Sequence, residues 1–189
     1  VIKVTYTPFN QQPREFVIHP YQLKQFNDRW FLLSCPLAND RYPFNPEFIL
    51  TLALDRISEK FDYVENEEYF ECIVDLKARF DEIIGVTLYQ DKDLEDIYFA
   101  VSPHSVDYVR TKWLHTTQIE LDEDTQGYFR SKYPSLKDHT FFSIECRENS
   151  ELYSKFASYT GDLSLVEPIY MRERLRERII KAAESYNCL

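Results

Sequence analysis

Cationic and aromatic side chains follow one another along the first 57 residues, in a pattern that could hold an anionic guest with a planar ring. A base can stack on an aromatic side chain while a neighbouring cation neutralises its phosphate. Arginine suits this role because its planar guanidinium binds two phosphate oxygens at once. The candidates for this chemistry are His19, Tyr21, Lys24, Arg29, Trp30 and Arg56.

Core packing is the alternative explanation of the same residues. Adjacent residues of a strand face opposite sides, so either Trp30 or Phe31 must point inward, and packing is the better interpretation of this aromatic run. For the two arginines, ligand binding and ion pairing remain open as equal alternatives. The carboxylates that could pair with them are Asp28 and Asp55.

Catalytic and metal-binding patterns are lacking in the sequence. The four histidines have neither the spacing of a metalloprotease nor that of a nucleophile elbow, and three glycines are too few for a glycine-rich phosphate loop. The four cysteines lie far apart without a CxxC pair, which favours reduced thiols over a zinc site or a disulfide framework. We therefore expect no enzyme, no catalytic residue, no metal and no cofactor.

The charge of the chain is unevenly distributed. Residues 1–60 hold seven basic and six acidic residues, whereas the rest of the chain holds 15 basic and 26 acidic residues. A negatively charged region cannot bind a long DNA duplex, because phosphate binding depends on clustered cations. The asymmetry predicts a domain boundary near residue 60. No apolar run is long enough to span a bilayer, so we expect no membrane partner.

Short apolar segments separated by turns predict a β-rich N-terminal domain. Pro20 is expected to end the second strand or to place it at an edge. Evenly spaced short strands of this kind are typical of a small barrel or sandwich. The predicted strands are residues 2–6, 15–19, 29–34 and 49–54.

The remaining chain predicts a linker over residues 61–90 and an α+β domain over residues 91–189. Its expected order, β-α-β-β-α-β-α, suits a ferredoxin-like sandwich. Ser102 is expected to cap the first helix, Asn149 or Ser150 the second, and Pro168 to open the third. The predicted strands are residues 96–101, 114–121, 140–147 and 163–166, and the helices are residues 103–112, 150–159 and 168–186.

Several of these segments together resemble the WYL domain and its C-terminal extension. Phe31 stands where the family usually has tyrosine, so this chain lacks one hydroxyl. The resembling segments of the WYL domain are Val4-Thr5-Tyr6, His19-Pro20-Tyr21-Gln22-Leu23-Lys24, Asn27-Asp28, Arg29-Trp30-Phe31-Leu32 and Leu54-Asp55-Arg56-Ile57. Those of the extension are Ile84-Gly85-Val86-Thr87, Trp113-Leu114-His115-Thr116-Thr117-Gln118, Glu151-Leu152 and Val166-Glu167-Pro168.

The resemblance implies a Sm-like, SH3-type β-barrel over residues 1–60, in a dimeric bacterial transcriptional regulator that resides in the cytoplasm. Relatives commonly carry a winged helix-turn-helix upstream. Because the chain starts at Val1 and its only methionine is Met171, we expect that module to be missing here. The resemblance adds Tyr6 to the ligand-binding candidates, which become Tyr6, His19, Tyr21, Lys24, Arg29, Trp30 and Arg56.

Two functional hypotheses remain at this point. In the first, the chain senses a nucleotide or a short single-stranded nucleic acid and forms a homodimer. Duplex DNA is then bound only through the missing module. In the second, the chain is an oligomerisation or interaction module without a small ligand. A Sm-like RNA-binding protein is disfavoured by the net charge of −11 beyond residue 60.

Overall fold

The computed structural model describes residues 1–38, 43–159 and 161–187. The chain divides into two compact units, Val1–Arg79 and Phe80–Leu189, and each unit contains one antiparallel sheet. The protein is therefore a mixed α+β structure whose N-terminal part is rich in strands, as the sequence predicts. None of the described helices has the length and apolar character needed to cross a membrane.

The first unit contains a five-stranded sheet in the order β4-β3-β2-β1-β5. A single turn of 3-10 helix, Leu54–Arg56, connects β4 to β5. A short helix, α1 (Leu76–Asp81), begins near the end of this unit. The strands are β1 (Ile2–Tyr6), β2 (Arg14–Phe26), β3 (Arg29–Pro36), β4 (Leu50–Ala53) and β5 (Ile57–Tyr63).

A two-residue turn joins β2 to β3. Asn27 and Asp28 both have positive φ angles, 47° and 58°, which suits the twist of a tight hairpin. Asparagine and aspartate tolerate this conformation better than other residues with side chains. Asn27 and Asp28 therefore form one of the turns that separate the short strands predicted from the sequence.

The strand β2 passes through Pro20, so the first alternative, that Pro20 ends the strand, is wrong. The second alternative, an edge position, holds locally, because β2 pairs with β1 only as far as Ile18 and beyond it pairs with β3 alone. The register of β2 against β3 shifts between Pro20 and Gln22, which leaves Tyr21 as an extra residue. A bulge accommodates a residue that cannot donate a ladder hydrogen bond. The bulge also changes which face of the sheet every later residue of β2 occupies.

The register defines two faces of this sheet. On one face, Val4, Ile18 and Leu52 form a buried core cluster. On the other face, His19 pairs with Cys35, and both side chains are buried. We call these the core face and the histidine face.

The predicted linker over residues 61–90 contains the end of β5 and all of α1. The strand β5 is absent from our sequence-based expectations. Its burial pattern shows why: after Ile57, every residue of the strand is exposed. An edge strand without a buried face gives no alternating apolar signal.

The second unit contains a four-stranded sheet in the order β7-β8-β6-β9. Its core is built around Phe99, Phe142 and Phe156, and the rings of Phe99 and Phe142 are stacked with centroids 5.6 Å apart. The elements are β6 (Leu94–Val101), α2 (Val106–Thr111), β7 (Ile119–Glu120), α3 (Glu123–Lys132), β8 (Thr140–Arg147), α4 (Ser150–Ala157), β9 (Leu163–Glu167) and α5 (Ile169–Tyr186).

Three details of the second unit differ from expectation. The strand predicted at residues 114–121 is only two residues long, and the helix α3 that follows it was not predicted. Only Gln126 and Phe129 of α3 are buried, so its apolar periodicity is weak. The helix α2 begins after Ser105 rather than Ser102, and the hydroxyl of Ser102 donates to the carboxylate of Asp162 (2.7 Å).

The N-terminus of α4 anchors the loop that precedes β6. The side chain of Asn149 accepts a hydrogen bond from the N–H of Leu152 (2.8 Å), which confirms it as the predicted cap. Its Nδ2 donates to the carbonyl oxygens of Ile84 (2.8 Å) and Thr87 (3.1 Å). One buried side chain thus satisfies one helix N–H and two loop carbonyls.

Candidate functional site

Two arginines lie against the ring of Phe9 in the first unit. The Cζ atom of Arg56 is 3.4 Å from the ring centroid, and that of Arg29 is 5.9 Å from it. A guanidinium at such distances is attracted by the negative face of an aromatic ring. Phe9 itself is 64% exposed, so much of its surface is accessible to solvent. We call Phe9, Arg29 and Arg56 the Phe9 cluster.

Three different elements position the Phe9 cluster. Phe9 lies in the connection between β1 and β2, where the next residue, Asn10, has a positive φ of 56°. Arg56 ends the 3-10 turn after β4, and Arg29 is the first residue of β3. The N–H of Thr7 donates to the carbonyl oxygen of Arg56 (3.0 Å), which holds the two connections together.

The two arginines differ in their partners. Nη2 of Arg29 is 3.3 Å from Oδ2 of Asp55, and the two side chains are 40% and 51% exposed. An ion pair this exposed contributes at most about 1 kcal/mol to stability. The Nε of Arg56 is buried and has no hydrogen-bond partner among the described residues. The cluster therefore retains unsatisfied donor capacity next to an open aromatic ring.

His19 and Tyr21 belong to a second, buried group on the histidine face. His19 is 1% exposed, and its Nδ1 accepts a hydrogen bond from the N–H of Phe70 (3.1 Å). Burial lowers the pKa of His19, which favours a neutral imidazole. The ring of Tyr69 lies 5.8 Å from that of His19 and 6.4 Å from that of Tyr21. Aromatic packing thus covers His19.

The hydroxyl of Tyr21 is buried beside the thiol of Cys35. Burial is the main cause that raises the pKa of this phenol, and the electrostatic interaction with Cys35 raises it further. In the described part of the chain, no group lies in a geometry that completes a hydrogen bond to this hydroxyl. Both Cys35 and Cys72 are free thiols. This region is an aromatic and thiol cluster in which His19 and Cys35 are buried, whereas the ring of Tyr69 is 46% exposed.

The position of each strand in the first sheet places the other three candidates, Tyr6, Lys24 and Trp30. Tyr6 packs against the core cluster, with its ring 6.4 Å from that of Phe16. Alternation along β3 places Trp30, which is 48% exposed, on the core face, opposite to the face of Arg29. Lys24 shares the face of Arg29 because of the bulge in β2.

A family model corresponds to this N-terminal unit. Residues 1–60 match the model described as "WYL domain". The chain carries a WYL domain. No curated protein matches the chain.

Solved structures resemble the chain over nearly its whole length. "Proteasome accessory factor B/C (PafBC) of Arthrobacter aurescens" is 14% identical, with a TM-score of 0.40, over 97% of this chain and 25% of that one. A second structure, described as "Crystal structure of a CRISPR Cas-related protein", is 12% identical, with a TM-score of 0.54, over 98% of this chain and 47% of that one. The latter similarity is one of fold. The chain spans a quarter and about half of these two proteins, respectively.

The structure brings together two of the seven predicted site residues of the WYL domain. Arg29 and Arg56 meet at Phe9, whereas His19 and Tyr21 lie in the buried aromatic group. Sequence reasoning missed Phe9. The available signal was an apolar aromatic residue between Pro8 and Asn10, in a connection where a buried side chain is not expected.

Clusters of side chains that could bind a metal ion are absent from the described part of the structure. Within residues 1–38, 43–159 and 161–187, no group of three or more histidine, cysteine, aspartate or glutamate side chains is close enough to hold a metal ion.

Proposed function

We propose that the WYL domain is an effector-sensing module that binds a nucleotide or a short single-stranded nucleic acid at the Phe9 cluster. In this proposal, Arg29 and Arg56 bind phosphate oxygens, and Phe9 offers its exposed ring to a base. The chain then serves as the ligand-sensing and dimerisation region of a bacterial transcriptional regulator. It catalyses no reaction and needs no cofactor.

The geometry of Arg56 carries this proposal. Its guanidinium lies 3.4 Å from the centroid of an exposed ring, with a second guanidinium on the same ring, while its Nε lacks a partner among the described residues. A buried donor without a partner costs about 1–3 kcal/mol. Because this Nε is buried, a phosphate oxygen would reach it only after a rotation of the Arg56 side chain, and would then recover part of that cost. The arrangement therefore favours an anionic guest.

The proposed mechanism is a population shift between two arrangements of a homodimer. An effector that binds one arrangement more tightly increases its population, and a linked winged helix-turn-helix then gains or loses the spacing of its DNA half-sites. The second half of the chain is acidic, so duplex DNA is bound only through that linked module. The site of action is the cytoplasm.

The finer architecture belongs to the same proposal. An SH3-type barrel is favoured by the position of β1 between β2 and β5. The last strand of this sheet, β5, thus returns to pair with the first strand, β1. A ferredoxin-like second unit is favoured by its element order β-α-β-β-α-β and its strand order β7-β8-β6-β9 with antiparallel neighbours; relative to the simple pattern, α3 is inserted between β7 and β8. Both stay predictions.

Binding of a short oligonucleotide by arginine variants tests the function. Arg29→Ala and Arg56→Ala should each weaken binding of a fluorescein-labelled oligo(dT) at low salt by about tenfold, since hydrogen bonds to charged groups contribute about 1.5–3 kcal/mol. Lys60→Ala, an exposed cation on β5, is the matched control and should change affinity little. Equal affinity in all three variants would remove the Phe9 cluster from the site.

An interaction module without a small ligand is the second candidate. The exposed rings of Phe61 and Tyr63, 5.7 Å apart on the edge strand β5, favour it, because aromatic side chains are enriched at interfaces. Thermal-shift screening separates the two functions, since a ligand specific for the folded state must raise the melting temperature. Sedimentation of Phe61→Ser and Tyr63→Ser then tests whether these rings support self-association.

A further inference from the structure

A pocket lined by two lysines lies in the second unit, whereas the residues of the Phe9 cluster belong to the first unit. The pocket has a volume of about 350 Å³ and lies among α2, α4 and the residues that follow α4. This volume is at the lower end of the range typical of small-molecule sites. The side chains that line it and matter here are Ser105, Tyr108, Lys112, Lys155, Ser158 and Tyr159.

The two lysines of this pocket have aromatic partners rather than acidic ones. Nζ of Lys112 donates to the hydroxyl of Tyr108 (2.7 Å) and lies 5.3 Å from the centroid of that ring. Nζ of Lys155 lies 5.9 Å from the centroid of Tyr159. The rings of Tyr108 and Tyr159 are themselves 6.3 Å apart, which brings both lysine–tyrosine pairs into one site.

Two lysines without carboxylate partners are unexpected in so acidic a region. Residues 61–189 carry 26 acidic and 15 basic residues, and arginines such as Arg110 and Arg147 form ion pairs. In the part of the chain that the structure describes, no carboxylate forms a salt bridge with Lys112 or Lys155. The positive charges of Lys112 and Lys155 are therefore available to bind an anionic ligand.

Among the described residues that line the pocket, the one carboxylate, Asp162, already has hydrogen-bond partners. Asp162 accepts a hydrogen bond from the hydroxyl of Ser102 (2.7 Å), and its carbonyl oxygen accepts another from the N–H of Ser102 (2.8 Å). Hydrogen bonds from Ser102 and Ser105 lower the pKa of Asp162. These interactions fix Asp162 to the serines, which explains why it does not neutralise either lysine.

We infer that this pocket is a second effector site, which binds a small phosphorylated molecule through Lys112 and Lys155. Ammonium groups bind phosphate as point charges, and the two lysines outweigh the ionised carboxylate of Asp162, so the lining of the pocket carries a net positive charge. The hydroxyls of Ser105 and Ser158 add neutral donors around the same space. The inference does not depend on the Phe9 cluster, because all of its residues lie in the second unit.

Calorimetric titration of the whole chain with pyrophosphate and ADP at low salt tests the inference. Lys112→Gln and Lys155→Gln should each weaken binding of both probes by about tenfold, and the double variant by more. Lys181→Gln on the exposed part of α5 removes the same charge from the same unit and should bind like the wild type. Melting temperatures of all variants should agree within a few degrees, because both pocket lysines lie at the surface.

The titrations also separate this site from the Phe9 cluster. ADP binding that persists in an Arg29→Gln/Arg56→Gln double variant, and is lost in the double lysine variant, supports a site in the second unit. Tighter binding of ADP than of pyrophosphate would add nucleotide recognition by the tyrosines. Failure of both probes to bind saturably at millimolar concentration, or equal affinity in the lysine and Lys181→Gln variants, would overturn the inference.

Discussion

If the Phe9 cluster binds a short single-stranded oligonucleotide as proposed, replacing Arg56 by glutamine should reduce the salt dependence of that binding. Each cation that neutralises a phosphate of a single strand contributes about −0.7 to the slope of log K against log salt concentration. The Phe9 cluster contains two guanidiniums, so we expect a slope of about −1.4 for the wild type. Arg56→Gln leaves one guanidinium and should give a slope of about −0.7.

Fluorescence anisotropy between about 50 and 200 mM NaCl measures this difference. Over this fourfold range, the wild type should lose about sevenfold in affinity and Arg56→Gln about threefold, from the same slopes. Arg56→Lys is the matched control, because it keeps the charge but loses the planar guanidinium. It should keep the slope of the wild type while it binds more weakly, since a lysine cannot lie flat on Phe9.

An unchanged slope in Arg56→Gln would refute this reasoning. That result would mean that the guanidinium of Arg56 faces no phosphate and only packs on Phe9. A slope much steeper than −1.4 in the wild type would also contradict it, because additional cations outside the Phe9 cluster would then have to contact the strand. Thermal unfolding of each variant shows whether the cluster remains folded, so that weakened binding is not mistaken for unfolding.

Three further predictions concern stability. Asn149→Ala should lower the free energy of unfolding by about 2–4 kcal/mol, since it removes a cap and two buried hydrogen bonds, whereas Asn149→Ser retains a capping oxygen and should cost about half. Gly85→Ala should cost about 2–4 kcal/mol in chemical denaturation, because its φ is +86° and the added Cβ would lie 2.7 Å from Cγ of Glu151. Burial lowers the pKa of His19 and of His115, so the unfolded chain binds more protons than the folded chain at low pH. The free energy of unfolding should therefore fall as the pH drops below about 6.5. A melting temperature that stays constant between pH 7 and pH 5 would contradict this prediction.

Local signals in the sequence were sufficient for several elements. The turn at Asn27-Asp28 and the cap at Asn149 depend on side chains that favour one backbone conformation over all others. Gly161, in the connection between α4 and β9, has a φ of +99°, a conformation that glycine adopts readily. Such signals act within a few residues, so they do not require knowledge of the fold.

The composition of the site depends instead on register, which the sequence does not reveal. Without the bulge at Tyr21, strand alternation would place Lys24 on the face opposite to His19. With the bulge, both lie on one face, and Trp30 lies on the other face from its neighbour Arg29. Exposed segments were missed for a related reason: β5 and α3 have few buried residues and therefore little apolar periodicity.

Asp55→Asn distinguishes an effector site from a purely structural role of the arginines. The carboxylate of Asp55 lies 3.3 Å from Nη2 of Arg29, where a phosphate oxygen would have to bind. If Arg29 binds an effector, removal of this competitor should tighten oligonucleotide binding by up to about fivefold, the equivalent of the 0–1 kcal/mol typical of an exposed ion pair. Glu59→Gln on β5 removes the same charge without touching Arg29, so it controls for long-range attraction. If Arg29 serves only the fold, Asp55→Asn should lower the melting temperature by a few degrees and should leave oligonucleotide binding like that of Glu59→Gln, because the ion pair would then contribute stability alone.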